Sequence, residues 1–313
     1  MASPIQGLHH VTATVDQAQA DLDFCIETLG LRLVKKTVNF DNHLVYHFYY
    51  GDERGTPGTV WTTFPYKGHG VPVGSNGAGQ ITVTSFSVPA GSLGWWKARL
   101  KARGVAVDDA PPRFGEESVV CVDPSGLSIE LVASGRDLRR PWTRDVGADA
   151  AIRGLHSVTM TIASPAETIV FMTDLLGFKT VDEIEGRTRL AVNGDEPGNV
   201  IDIVHAPDAP RGQNGLGTVH HVAMAVPAAD DQLRMREELL RWGAKVTEVR
   251  DRQYFQSIYF REPGGVLFEI ATVRPGFEVD ESAAWLGRDL KLPPWEEPNR
   301  SEIEAGLDAI VYR

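Results

Sequence analysis

One pattern recurs four times along this chain of 313 residues, and such repetition constrains the fold before any single residue does. Four short segments alternate in period two and are rich in valine, isoleucine and threonine, which predicts half-buried strands. They read LHHVTATV (8–15), ITVTSFSV (81–88), LHSVTMTI (155–162) and VHHVAMAV (219–226). We number the four units that these strands open as modules 1 to 4.

Each module continues with a predicted helix and then with further strands. Apolar residues at helical spacing, closed by a glycine, are typical of an amphipathic helix with a left-handed C-terminal cap. The predicted helices span 21–29, 92–103, 166–176 and 230–242, and the glycine-led closing strands span 58–64, 126–132, 198–204 and 265–271. The sequence therefore predicts an α+β fold of four βαβββ modules.

The modules are expected to fall into two halves. Between modules 2 and 3, residues 134–153 are charged and lack periodicity, as a linker does. We predict an N-terminal domain at 1–135 with modules 1 and 2, a linker at 136–152, and a C-terminal domain at 153–274 with modules 3 and 4. The last segment, 275–313, does not fit the repeat and is predicted to be a C-terminal extension packed over the body.

Composition narrows the class of partner. The 31 lysines and arginines against 42 aspartates and glutamates give a net charge of −11, which argues against nucleic acids and anionic membranes as partners. No apolar run reaches the roughly 20 residues of a membrane span, and the opening MASPIQGLHH does not resemble a secretory signal. Cys25 and Cys121 are too few for a disulfide framework. We therefore expect a soluble, cytoplasmic protein.

Strand alternation separates the paired histidines. Because neighbouring strand residues point to opposite faces, His9 and His10 cannot serve the same purpose. His9 and His220 share a face with the larger apolar residues of their strands, whereas His10 and His221 share a face with small or polar ones. We therefore predict that His10 and His221 face an open cavity. The residues predicted to lie on the face that packs against the helix are His9, His156 and His220.

The pairing of modules decides whether a metal site can form. The equivalent residues of the four closing strands are Thr62, Glu130, Asp202 and Glu269. Only modules 1 and 4 together supply two cavity-facing histidines and a carboxylate, namely His10, His221 and Glu269. This combination is the facial triad that leaves coordination positions open, and Thr62 beside it is a poor ligand. Glu130 has no histidine at the aligned positions and is predicted to form a structural salt bridge.

Several motifs resemble the vicinal-oxygen-chelate superfamily, which contains glyoxalase I, bleomycin-resistance proteins and extradiol dioxygenases. The matching segments are LHHVTATV, LGLRLVKKTVNFD (29–41), YHFYYGDERGTPGTVWTTFPY (46–66), GSLGWWKARL (91–100), HHVAMAVP (220–227) and DRQYFQSIYFREPGGVLFEIAT (251–272). They are most similar to ring-cleaving dioxygenases that act on hydroquinones. The resemblance implies two tandem domains of this superfamily and a small aromatic substrate, hydroquinone or catechol in type, and it leaves open whether the chain forms a homo-oligomer.

The same resemblance implies a set of site residues. Fe(II), or less often Mn(II), would be held by His10, His221 and Glu269, with O₂ as co-substrate. The residues that it places beside the metal in catalytic roles are His9, His220, Arg252 and Tyr259. His220 and Tyr259 are candidates for general acid and base, and Arg252 for stabilising oxyanion charge.

Two other functions stay open from the sequence. A glyoxalase-like lyase or isomerase would use the same ligands with Ni(II) or Zn(II). A metal-free small-molecule-binding protein of the same fold would not need the ligand set.

The remaining candidates carry weaker signals. Aromatic residues that are candidates for the walls of a ring-binding cavity are Trp61, Tyr254 and Phe255. No spacing assigns a role to His43, His47, His69 or His205. The glycine-rich GSNGAG at 74–79 is predicted to be a flexible connector, because no strand and helix flank it as a phosphate loop requires.

Overall fold

The computed structural model describes residues 3–184 and 186–312, which form sixteen strands and five α-helices. The strands are β1 (Leu8–Val15), β2 (Arg32–Asn39), β3 (Asn42–Gly51), β4 (Val60–Pro65), β5 (Gln80–Pro89), β6 (Val107–Asp109), β7 (Ser118–Val122), β8 (Ser128–Ser134), β9 (Gly154–Ile162), β10 (Lys179–Ile184), β11 (Arg187–Ala191), β12 (Val200–His205), β13 (Thr218–Val226), β14 (Arg250–Asp251), β15 (Phe255–Arg261) and β16 (Leu267–Pro275). The helices are α1 (Ala18–Leu22), α2 (Leu93–Ala102), α3 (Ala166–Val170), α4 (Ala229–Trp242) and α5 (Arg300–Gly306).

The predicted βαβββ order is confirmed in all four modules. The helix of module 1 differs from its prediction, because α1 passes into a π-helical segment at Asp23–Thr28. Module 3 does the same, with α3 passing into Phe171–Leu175. In module 4 the predicted cap is present, since Gly243 has a φ of 92° and its N–H bonds back to the last turn of α4. Glycine adopts this left-handed conformation without the steric cost that other residues incur.

The strands form two eight-stranded sheets that pair the modules in a nested order. The first sheet joins modules 1 and 4, with the order β14-β15-β16-β13-β1-β4-β3-β2. The second joins modules 2 and 3, with the order β10-β11-β12-β9-β5-β8-β7-β6. At the centre of each sheet the first strands of the two modules pair antiparallel, β1 with β13 and β5 with β9. The predicted pairing of module 1 with module 4 is therefore confirmed.

Two β-bulges interrupt the central strand pair of the first sheet. Leu8 pairs with Met224 and His10 with Ala223, so His9 is an extra residue on β1. Thr12 pairs with His221 and Ala13 with Val219, so His220 is an extra residue on β13. An extra residue breaks the strict alternation of faces and turns its side chain away from the expected side. His156 is the corresponding extra residue in the second sheet, between the Ser85–Ser157 and Phe86–Leu155 pairs.

The bulges correct one prediction from the sequence. The larger residues of β1, namely Val11, Ala13 and Val15, do lie in the main core together with Leu22 and Phe24 of the helical segment. The three histidines predicted to share this face, His9, His156 and His220, are the extra residues of the bulges and depart from the regular alternation of their strands. Each lies instead beside the next residue of its strand, with its Nδ1 atom within hydrogen-bond distance of that residue's side chain.

The glycine-rich segment at 74–79 pairs with the corresponding segment between modules 3 and 4. Isolated bridges join Val73 to Leu216, Ser75 to Gln213 and Ala78 to Arg211. A Cβ atom on Gly77 would clash with the carbonyl oxygen of Pro210, so the two segments approach at a distance that only glycine allows. The prediction of a flexible connector is therefore wrong, because backbone hydrogen bonds hold these segments side by side.

The segment after β16 packs against module 1. Leu290 forms a parallel bridge with Lys36, and Phe277 joins a buried cluster with Tyr49 and Tyr254. The fully buried ammonium group of Lys35 lies 2.6 Å from the carboxylate of Asp280. Among the described residues, no helix has both the length and the apolar character needed to cross a bilayer.

Candidate metal centre

The nested pairing brings two histidines and one glutamate from three adjacent strands to a single point. His10 on β1 pairs with Ala223 on β13, which pairs in turn with Glu269 on β16, so the small alanine lies between the two larger side chains. The Nε2 atoms of His10 and His221 are 3.3 Å apart. The Oε2 atom of Glu269 lies 3.3 Å from Nε2 of His10 and 2.9 Å from Nε2 of His221. All three side chains are buried.

Glu269 shows why this cluster fits a metal ion. Its Oε1 atom accepts a hydrogen bond from Ser257, but its Oε2 atom, which faces the two imidazoles, has no hydrogen-bond partner among the described residues. Burial alone would raise the pKa of Glu269, but His10 and His221 hold it well below its usual range. Burial lowers the pKa of His221 and so favours its neutral form. A buried carboxylate beside two imidazoles is a donor set that suits Fe, Mn, Ni or Zn ions.

The two bulge histidines, His9 and His220, contact the two histidines of the candidate metal cluster. Nδ1 of His9 lies 2.8 Å from Nδ1 of His10, and Nδ1 of His220 lies 2.7 Å from Nδ1 of His221. A histidine that offers the Nε2 lone pair to a metal carries its proton on Nδ1. His10 and His221 would therefore donate their Nδ1 protons to His9 and His220, the arrangement in which an outer partner fixes the ring of a metal ligand.

A cavity of about 190 Å³ opens above these side chains. It is smaller than the roughly 300–1,000 Å³ of sites for drug-sized ligands, and this size suits a molecule with a single ring. Its lining residues are His10, Asn39, Phe40, Asp41, His47, Tyr49, Phe64, Tyr66, His220, His221, Arg252, Phe255, Tyr259 and Glu269. His220 therefore reaches the cavity, whereas His9 is almost fully buried and is not among its lining residues.

Arg252 and Tyr259 form one side of the cavity. The Nε–H of Arg252 donates to the phenolic oxygen of Tyr259 over 3.0 Å, and its Nη2 group donates to Asp41 over 2.9 Å. Burial and the nearby Glu269 raise the pKa of Tyr259, so its hydroxyl keeps its proton at neutral pH. Asp41 lies at the turn between β2 and β3, at the far end of the sheet from β14, so this contact shows that the sheet curls into a cup.

Only one of the three predicted wall residues lines the cavity. Phe255 lies 5.2 Å from the ring of His10, measured between ring centroids, and is part of the lining. Trp61 precedes Thr62 on β4 and points to the opposite face, where it packs on Phe86 in the core. Tyr254 lies behind the wall, against Phe277 of the C-terminal segment.

His47 is a cavity residue that the sequence did not reveal. Its Nε2 atom lies 2.8 Å from Oγ1 of Thr62, and its ring lies between those of Tyr49 and Phe64. Tyr49 pairs with Thr62 across β3 and β4, so strand register brings His47 close to the metal-facing residues. Strand alternation already places His47 on the same face as Tyr49. Placing that face toward the cavity required the register of β3 against β4, which the sequence does not reveal.

The second sheet carries a cup of the same kind that is filled by ion pairs. Arg113 makes a bidentate contact with Glu130 and approaches Asp202 to 3.4 Å. Arg189 contacts Asp202 at 2.7 Å, and His156 contacts Glu116 at 3.0 Å. The predicted structural salt bridge of Glu130 is therefore confirmed.

The fold and the site together define a two-sheet protein of four βαβββ modules with a three-residue candidate metal site. The family model of the Glyoxalase/Bleomycin resistance protein/Dioxygenase superfamily matches residues 7–131 and 154–270. The chain belongs to this superfamily. The family resemblance and the α+β fold of four modules, both expected from the sequence, are confirmed.

Relatives match the chain over nearly its whole length. A Bacillus subtilis (strain 168) protein named "Putative ring-cleaving dioxygenase MhqO" is 43% identical over 98% of this chain and 97% of its own. The chlorohydroquinone/hydroquinone 1,2-dioxygenase of Sphingobium indicum is 38% identical over 96% of this chain and 95% of its own. The crystal structure of a B. subtilis protein described as a "putative dioxygenase" is 42% identical, with a TM-score of 0.95 over 100% of this chain and 99% of that one.

Proposed function

We propose that this protein is an Fe(II)-dependent dioxygenase that cleaves the ring of a hydroquinone- or catechol-type substrate. The observation that carries the proposal is the buried pair of imidazoles with Glu269 at the base of a cavity sized for one ring. Three protein ligands leave coordination positions for a substrate oxygen and for O₂. The names of the relatives support the same reaction class.

The metal would supply a site where a phenolate oxygen and O₂ bind side by side and exchange an electron. His10, His221 and Glu269 would hold it, and His9 and His220 would fix the two imidazoles through their Nδ1 atoms. The cup of aromatic side chains would exclude water and hold the ring flat against its walls.

Proton transfer is assigned to the groups that face the cavity. Tyr259 holds its hydroxyl proton and accepts a hydrogen bond from Arg252, which favours release of that proton to a developing oxyanion. His220 uses its Nδ1 atom toward His221, so its Nε2–H remains as a second donor. We therefore propose Tyr259 as the acid, with Arg252 and His220 stabilising negative charge on oxygen.

A glyoxalase-like reaction is the second candidate, because the family includes glyoxalases. The glyoxalase-like reaction has weaker support than the dioxygenase, because Thr62 occupies the position of a possible fourth metal ligand. The hydroxyl of Thr62 is engaged with Thr12 at 2.9 Å and with His47 at 2.8 Å, and a threonine is a poor metal ligand. His10, His221 and Glu269 alone would leave metal coordination positions open, which suits a reaction in which substrate and O₂ both bind the metal.

Oxygen uptake tests the proposal. Protein purified without oxygen and loaded with Fe(II) should consume O₂ when hydroquinone or catechol is added, and the product should contain both oxygen atoms of ¹⁸O₂. The Glu269→Gln variant, treated in the same way, should consume none above background. Full loading with Fe(II) but no uptake with either substrate would reject the dioxygenase and leave the glyoxalase-like reaction or simple binding.

A further inference from the structure

A chain of three hydrogen-bonded side chains leads from the core of the first sheet into the cavity. Oγ1 of Thr12 lies 2.9 Å from Oγ1 of Thr62, which lies 2.8 Å from Nε2 of His47. Thr12 and Thr62 are fully buried, and His47 lines the cavity. The hydroxyl of Thr12 has no other hydrogen-bond partner among the described residues.

The direction of this chain follows from its buried end. If His47 donated to Thr62 and Thr62 donated to Thr12, the hydroxyl proton of Thr12 would be buried without an acceptor, which is unfavourable. In the opposite direction, Thr12 donates to Thr62 and Thr62 donates to Nε2 of His47, so each hydroxyl proton has an acceptor. The favoured chain therefore makes Nε2 an acceptor and places the proton of the neutral ring on Nδ1.

The surroundings of His47 hold this donor in place. Its ring lies 4.0 Å from the ring of Tyr49 and 4.2 Å from that of Phe64, measured between centroids. Burial, followed by the charges of His10 and His221, lowers the pKa of His47 well below its usual value, so the ring stays neutral. Nδ1 has no hydrogen-bond partner among the side chains that the structure describes, although the ring lines the cavity.

The position of His47 matches the far side of a bound ring. β4 lies between β1 and β3, and His10 pairs with Val60 on β4, whereas Phe48, next to His47, pairs with Thr63. The backbones of His10 and His47 are therefore offset by two strand spacings across the sheet, about 10 Å at ~4.8 Å each, and by a further three to four residues along it. A para-diphenol with one oxygen at the metal-facing cluster carries its second oxygen on the opposite side of the ring. A catechol carries both oxygens on the same side and presents none there.

We propose that the Nδ1–H of His47 binds the second oxygen of the substrate and makes the site selective for para-diphenols over catechols. The proposal rests on the proposed ring-cleaving function and names the substrate class of the same cavity. A site with a fixed polar donor discriminates strongly against an analogue that lacks the matching oxygen, because the donor is then buried without a partner.

Anaerobic calorimetry with the Fe(II)-loaded protein tests this selectivity without turnover. The probes are hydroquinone and 4-methylphenol, which has nearly the same shape but no second oxygen. The wild-type protein should bind hydroquinone about tenfold more tightly, as expected for one added hydrogen bond. His47→Phe, which keeps an aromatic ring, should remove this preference, and Thr62→Val should reduce it by freeing the ring to turn.

His43→Phe is the matched control, because His43 lies on the same strand but contacts Glu296 outside the cavity. It should keep the wild-type preference. An undiminished preference in His47→Phe would overturn the proposal, as would loss of the preference in Tyr66→Phe instead, since Tyr66 would then be the residue that binds the second oxygen. If His47→Phe fails to fold by circular dichroism, an unchanged preference in Thr62→Val overturns the proposal in its place.

Two measurements separate this proposal from the proposed function. ¹⁵N NMR of histidine-labelled protein should show the proton of His47 on Nδ1, and a proton on Nε2 would reject the hydrogen-bond chain whatever the enzyme does. Oxygen uptake reports on the dioxygenase alone. A protein that binds hydroquinone selectively through His47 but consumes no O₂ would reject the proposed reaction and retain the role of His47.

Discussion

Glu130 and Glu269 occupy equivalent places in the closing strands of modules 2 and 4, and they meet opposite kinds of partner. Glu269 faces the imidazoles of His10 and His221, whereas Glu130 is held by both guanidinium nitrogens of Arg113. In the second cup a guanidinium therefore supplies the positive charge that a metal ion would supply in the first. The two cups have the same strand arrangement, but the group that would balance the buried carboxylate differs between them.

Removal of Arg113 should destabilise the fold severely. Arg113→Met leaves Glu130 without its bidentate partner and also removes a contact to Asp202, and both carboxylates are buried. Breaking a buried pair from one side costs about 3–5 kcal/mol of unfolding free energy. Urea denaturation followed by circular dichroism measures this loss.

Arg136→Met is the control for that experiment, since the ion pair of Arg136 with Asp195 lies at the surface with both side chains more than half exposed. Its loss should cost less than about 1 kcal/mol. Equal effects of the two substitutions would mean that the second cup does not depend on its ion pairs.

His221→Ala should abolish metal binding, whereas His156→Ala should not. His221 supplies one of the three donor atoms, while His156 is bonded to Ser157 and Glu116 in the second cup. We expect the metal affinity of His221→Ala to fall by at least roughly a hundredfold. This is more than the loss caused by removing a residue that only hydrogen-bonds to a metal ligand. Metal analysis after dialysis measures both, and equal retention of iron would refute the assignment of the site.

Glu269→Gln should remove activity without unfolding the protein. The amide keeps the size of the side chain and an oxygen for Ser257, but it removes the only carboxylate of the metal cluster. The metal-free variant should therefore give the circular dichroism spectrum of the wild type, while turnover falls by at least roughly a hundredfold. A variant that lost its fold would show that Glu269 is needed mainly for structure.

The buried carboxyl group of Asp21 should make stability depend on pH. Tyr50 donates a hydrogen bond to it over 2.7 Å, but burial dominates and raises its pKa from 3.8 to about 7. A group whose pKa is raised by folding contributes its full stability below its unfolded pKa, and that contribution is lost as pH rises to about 7. The loss is at most roughly 4 kcal/mol, at about 1.4 kcal/mol per pKa unit.

Asp21→Asn should therefore gain stability relative to the wild type as pH rises from 4 to 8. Urea denaturation at several pH values in this range measures the difference. Asp23 is exposed and lies two residues along the chain. The unfolding free energy of Asp23→Asn should therefore change with pH in the same way as that of the wild type. Parallel curves for both variants would show that Asp21 does not titrate in this range.

Much of the fold and the core of the site could be predicted from the sequence because both follow from repetition. Period-two strands and glycine-capped helices are local patterns, and four copies of them fixed the module plan. Comparing the same position in each copy was enough to select His10, His221 and Glu269, which the structure brings together.

The remaining features depend on contacts between strands that are distant in the chain. Nothing local marks His9 or His220 as extra residues, because a bulge exists only relative to the partner strand. His47 needed the register of β3 against β4, and the segment at 74–79 needed its partner at 211–216. Arg113 could not be matched to Glu130 because it lies outside the repeated strands.

The nested order of the strands sets when the candidate metal cluster can form during synthesis. All strands of the second sheet lie between Gln80 and His205, so this sheet can close while the ribosome is still translating module 4. The first sheet brackets it, and Glu269 follows His10 by 259 residues. A nascent chain, or one truncated before β16, lacks the carboxylate of Glu269, so the cluster of His10, His221 and Glu269 can form only in essentially finished molecules.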